Sequence, residues 1–92
     1  MLLYKVILQV IECKGECPIG YKIGEKIVIE DEQLNLKETD KVCLYALGGF
    51  LPYITALYRD TPVEDWINRK EELQCPDNKN AVIFRVVRVR ST

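Results

Sequence analysis

The chain has 92 residues, 48% of them hydrophobic and 29% charged, and its 13 basic and 14 acidic side chains leave a net charge of −1. That is the size of one domain (1–92) with enough apolar surface to fold, which excludes a disordered chain, and it gives no overall charge to draw the protein to nucleic acid or to an anionic membrane. There is no histidine, which removes Ser-His-Asp and Cys-His catalysis, mixed Cys/His zinc sites and the usual general base of neutral pH.

Residues 2–12 read as the first strand, with Leu2, Tyr4, Val6, Leu8 and Val10 on one face by period-2 alternation. Met1-Leu2-Leu3 runs straight into that pattern without a signal-peptide layout, so the expected location is the cytosol. Residues 13–20 form a loop punctuated by Gly15, Pro18 and Gly20. Gly24-Glu25 turns into a second, short strand, residues 26–30. Residues 31–40 are polar and acidic and read as a surface connection.

The apolar centre is residues 42–58, VCLYALGGFLPYITALY, which carries no charged side chain. Gly48-Gly49 and Pro52 argue against one straight helix, since each glycine costs roughly 1 kcal/mol and an interior proline roughly 3. The expectation is two short helices, residues 41–47 and 51–59, with a bend at Gly48-Gly49; a single kinked helix is the alternative. Thr39 or Asp40 would cap the first, and Arg59 suits the last turn of the second. The run is shorter than the roughly 20 apolar residues of a membrane span.

Thr61-Pro62-Val63-Glu64 has the chemistry of a helix start, with Thr61 as cap and Glu64 closing a capping box. That helix would reach Glu72 and bury Val63, Trp66, Ile67 and Leu73. Cys75-Pro76-Asp77-Asn78 is a turn, and residues 81–90 form the last strand, where Val86-Val87 suggests a bulge or burial of both faces. The elements therefore predict an α+β fold: a small, mostly antiparallel sheet of about three or four strands, with the apolar helix pair and a further short helix packed on one face. The first and last strands are expected to be neighbours at its centre.

Cys13, Cys17, Cys43 and Cys75 are the one constellation able to carry chemistry. Cys17 and Cys75 each precede a proline in a turn, and Cys43 falls in the first helical turn, where the helix end favours a thiolate. Metal binding is one expectation: Cys17, Cys43 and Cys75, with Cys13 as a fourth ligand, would suit Zn²⁺ or iron. A redox or nucleophilic thiol is the second, with Cys43 or Cys17 reactive. The alternative is a non-catalytic binding or oligomerisation module, a homodimer for example, whose cysteines only pack. Arg85, Arg88 and Arg90 make the last strand basic, and Tyr4, Tyr21 or Trp66 could stack on bases. Pairing of those arginines with Glu12, Glu30 or Asp31 across the sheet is the simpler reading, so a nucleic-acid partner is not expected.

Cys17-Pro18-x-Gly20-x-Lys22-x-Gly24-Glu25, then Cys43, Pro52 and Cys75-Pro76-Asp77 before a final strand, resembles the pattern of a family of short prokaryotic proteins with no assigned activity. The resemblance implies that Cys17, Cys43 and Cys75 belong together and that Cys13 is incidental. It implies no cofactor or substrate.

Overall fold

The computed structural model describes residues 4–17, 19–76 and 79–90. Five strands form one antiparallel sheet: β1 (Tyr4–Cys13), β2 (Lys26–Glu30), β3 (Gln33–Leu34), β4 (Glu72–Gln74) and β5 (Val82–Arg90), in the order β3-β2-β1-β5-β4. One helix, α1 (Leu44–Leu57), and one 3-10 turn (Trp66–Arg69) are the other elements among the described residues. This corrects the expected α+β arrangement with its helix pair and further helix: there is more sheet than helix, and the sheet has five strands.

The long strands follow the alternation of their side chains. Val6, Leu8 and Val10 of β1 are buried, and β1 lies between β2 and β5, so the first and last strands are indeed central neighbours. Leu2, placed on the same face from sequence, lies outside the described residues. Register puts Val6, Leu8 and Val10 beside Ile29 and Ile27 on one side and Val86 and Phe84 on the other. These side chains make the floor of the core.

The irregularity expected at Val86-Val87 lies instead in β1, where pairing shifts between Val10 and Glu12. The extra residue, Ile11, changes which side chains face inward. Val10 pairs with Phe84, but Cys13 pairs with Val82, so Cys13 shares the core face and Glu12 stays exposed. Without the bulge a carboxylate would point into the core.

The central apolar run is a single helix, not two. Ala46, Phe50, Ile54 and Leu57 lie at helical spacing and are all buried on the sheet. Burying three large apolar side chains contributes about 1.5–3 kcal/mol each, enough to offset the roughly 5 kcal/mol of local penalty from two glycines and a proline. Pro52 offers no N–H to the Gly48 carbonyl one turn back, but Gly48 is exposed, so water can reach that oxygen. A methyl group on Gly48 would meet nothing within 4 Å. Gly48→Ala is therefore expected to raise stability by about 0.5–1 kcal/mol, seen as a higher urea midpoint at unchanged slope.

The expected caps are used elsewhere. Thr39 Oγ1 accepts from Val28 N–H at 2.9 Å and Asp40 Oδ2 from Lys26 N–H at 2.9 Å, so this segment covers the outer edge of β2 rather than starting a helix. At the other end of α1, Arg88 Nη1 donates to the Leu57 carbonyl (3.2 Å) and Nη2 to Asn68 Oδ1 (2.7 Å). A strand residue thus supplies the cation that a helix C-terminus favours, the role expected of Arg59. Arg88 and Arg90 also both lie over the Tyr4 ring, 4.7 and 5.1 Å from its centre, and Arg90 stands 3.6 Å from Asp60. These two arginines meet none of the acids expected to pair with them.

The region after α1 departs furthest from expectation. Thr61 and Glu64 form no capping box; Asp65 caps instead, its carboxylate accepting from Ile67 N–H at 3.0 Å. Only the short turn Trp66–Arg69 is helical, Ile67 is buried, and Val63 is 91% exposed. Leu73 is buried, but from β4, a three-residue strand that pairs with β5.

The hairpin from β2 to β3 turns on Asp31 (φ 55°) and Glu32 (φ 64°), flanked by the pair Glu30 and Gln33. Two successive positive φ values are those of a two-residue hairpin turn that usually carries Asn-Gly. Asp-Glu lacks that signature, which is why residues 31–40 read as a plain connection.

Candidate functional site

Three of the four cysteines open into one cleft of about 480 Å³, lined by Cys17, Ile19, Cys43, Leu44, Tyr45, Cys75, Pro76 and Asn80. Its size is that of a small-ligand site, and among the described residues its walls are apolar apart from Asn80 and carry no charged side chain. Each sulfur comes from a different part of the chain: the loop after β1, the residue capping α1, and the end of β4. A depression of about 530 Å³ beside β4 is lined by Arg69, Lys70, Glu71 and Glu72 together with Leu73, Gln74 and Ile83. Among the described residues it gathers no cysteine.

The Cys17 loop is held to the start of α1 by Lys41. Its ammonium lies 3.3 Å from Glu25 and donates to the Gly20 carbonyl at 3.2 Å. Tyr21 completes the join from inside. It is buried, packs edge-on against Phe84 at 5.3 Å, donates its hydroxyl hydrogen to the Lys41 carbonyl (2.9 Å) and accepts from Cys43 N–H (3.0 Å). Burial pushes its hydroxyl up to about 12, against the smaller opposing effect of the Cys43 N–H. It therefore stays protonated across the physiological range.

Cys43 is the N-cap of α1 with extended backbone, and its carbonyl accepts from Leu47 N–H at 3.0 Å. Its thiol makes no capping hydrogen bond, so the sulfur is not committed to the helix. Cys75 is 92% buried yet reaches the cleft wall, and its N–H donates to Val82 O at 3.0 Å, which fixes it at the end of β4. Cys17 is half-buried.

Cys13 does not line the cleft. Its thiol donates to the Tyr21 carbonyl at 3.4 Å, and burial, then Cys17 and Glu25, push its ionisation up. All four cysteines are free thiols. Among the described residues, no three Cys, Asp or Glu side chains stand together as a set able to hold a metal ion.

Sequence reading missed Tyr21, considered only as a stacking group, and also Lys41 and Asn80. The available signal was a lone aromatic residue in the polar loop between Gly20 and Gly24. Asn80 Oδ1 accepts from Glu16 N–H at 3.0 Å, and Lys14 N–H donates to Ala81 O at 2.7 Å, so the loops carrying Cys17 and Cys75 brace each other.

Away from the cleft, two carboxylates carry pH dependence. Lys5 Nζ bonds both oxygens of Glu38 (2.8 and 2.7 Å), and this holds the Glu38 carboxyl below its ordinary value of 4.5. Glu25 is held below 4.5 first by Lys22 N–H and then by Lys41. Stability from these groups is complete above pH 4.5 and is lost as pH falls through their lowered folded values. Lys5 is raised above 10.5, first by its bond to Glu38, so its contribution is complete below pH 10.5 and fades above it. Urea midpoints are expected to fall below pH 4.5, and less steeply in the double variant Glu25→Gln, Glu38→Gln.

The fold and site thus define a small antiparallel-sheet domain with one helix and a thiol-lined cleft. No protein-family model, curated protein or solved structure matches the chain. Among the described residues no helix is long and apolar enough to cross a membrane.

Proposed function

We propose that the protein acts through the sulfur chemistry of this cleft, with Cys43 as the reactive thiol and Cys17 and Cys75 as its partners. The supporting observation is that three cysteines distant in sequence line one cleft whose described walls are mostly apolar, with the Cys43 thiol free of any capping bond. The chain has no histidine, so no imidazole is available to take the proton from a cleft thiol.

The chemistry such a site offers is exchange with a small disulfide. The Cys43 thiolate attacks one sulfur of the disulfide, the S–S bond breaks, and the released half takes up the proton that Cys43 lost. A second cleft thiol gives up its proton and attacks the Cys43 sulfur, expelling the other half as a thiol. Two protein thiols become one disulfide, and the external disulfide is reduced to two thiols.

Reduced protein is labelled with iodoacetamide at pH 6.5, and each cysteine is followed by peptide mass spectrometry. Cys43 is expected to react at least about tenfold faster than Cys13, and oxidised glutathione to convert the protein to a form with one internal disulfide. Uniformly slow labelling overturns the reading. So does protein that binds one equivalent of Zn²⁺ or Cd²⁺ with loss of labelling at Cys17, Cys43 and Cys75, which would assign a metal site instead.

A further inference from the structure

Resting on that reading, we infer that Tyr21 is the positioning residue of the site: its hydroxyl sets Cys43 at the mouth of the cleft. The buried hydroxyl makes two bonds to the three-residue segment that leads into α1, donating to Lys41 O and accepting from Cys43 N–H. The second bond is directed at the backbone of the reactive residue itself. It holds the N–H of the cap residue, which lies outside the helix and finds no partner within it. Nothing in the first turn replaces it, because the position whose side chain could reach back to that N–H is Ala46, which has no acceptor.

The rest of Tyr21 is built to keep that hydroxyl in place. The ring stands edge-on to Phe84, which in turn stands edge-on to Phe50 of α1, both at 5.3 Å. The Tyr21 carbonyl accepts from the Cys13 thiol at 3.4 Å. Cys13, kept out of the cleft, thus anchors the residue that orients Cys43. One residue therefore links three features: through its carbonyl the β1 end that carries Cys13, and through its ring and hydroxyl the core and the start of α1.

Tyr21→Phe keeps the ring and removes only the hydroxyl. In that variant Cys43 is expected to alkylate about fivefold more slowly than in the parent, the size of effect associated with a charge losing its place at a helix end. Cys17 and Cys75 should stay within about twofold of their parent rates, since general loosening would raise all three. Phe84→Leu is the control: it weakens the packing around Tyr21 but keeps the hydroxyl, so it should lower the urea midpoint without selectively slowing Cys43. If Cys43 keeps its parent rate in Tyr21→Phe, or if the two variants change all the rates alike, the positioning role is overturned while the thiol site stands. If Cys43 is slow in the parent itself, the site reading falls, and this inference with it.

Discussion

Replacing Phe84 by Ala is expected to cost about 3–5 kcal/mol, the usual loss for truncating a fully buried phenylalanine. Phe84 has no exposed surface, sits in β5 beside Val10 of the central strand, and touches both Tyr21 and Phe50 edge-on. It is the side chain through which the sheet, the helix and the cleft loop meet. A domain of this size has roughly 5–15 kcal/mol in all, so the variant should lie close to unfolding at 37 °C. Urea denaturation followed by circular dichroism measures this directly. A loss under about 1 kcal/mol would mean that Phe84 is not the centre of the core.

Gly15→Ala is expected to cost about 2 kcal/mol or more, through backbone geometry and a steric clash together. Gly15 has φ 75°, and a Cβ there would lie 2.8 Å from the Lys79 carbonyl oxygen and would collide with Asn80 Oδ1. One of those neighbours is backbone, so the loop of residues 13–16 would have to move off the segment 79–81. Gly20→Ala is the matched comparison. Its φ of 69° is nearly the same, but a Cβ there meets nothing within 4 Å, so only the backbone cost of roughly 1–2 kcal/mol applies. Melting temperatures of the two variants separate the terms. Equal shifts would show that the two loops are not in contact, and the bracing of Cys17 against Cys75 would be lost with it.

Both variants bear on how the site is assembled. The cysteines are joined by loops whose contacts are mostly backbone: Lys14 N–H to Ala81 O, Cys75 N–H to Val82 O, Tyr21 hydroxyl to Lys41 O. Such bonds leave little trace in residue type. Composition could name four thiols as the chemistry-bearing groups, but it held no reason for Cys13 to face away from the cleft. That outcome depends on the bulge at Ile11, which moves Cys13 onto the core face beside Val82.

The same contrast runs through the fold. β1, β2 and β5 were legible because period-2 alternation over several residues is a strong signal when one face is buried. β3 and β4, of 2 and 3 residues, are too short to show a period. The helix over residues 61–72 was misread because local capping chemistry carried the argument. A capping motif stabilises a helix only when a buried stripe follows it, and here Val63 and Trp66 are largely exposed. In the apolar centre the balance runs the other way: Gly48, Gly49 and Pro52 disfavour one helix locally, and the core buried by Ala46, Phe50, Ile54 and Leu57 offsets them.

Sequence by itself determined which strands pair at the centre, that the apolar run supplies core side chains, and that four thiols stand in a chain without histidine. Those properties are local: side-chain type and spacing set them before the chain folds. Tertiary structure alone decided that the run is one helix, that a strand arginine closes its far end, and that three thiols share a cleft. These depend on contacts between segments tens of residues apart, whose energies are of the same few kcal/mol as the local preferences they override.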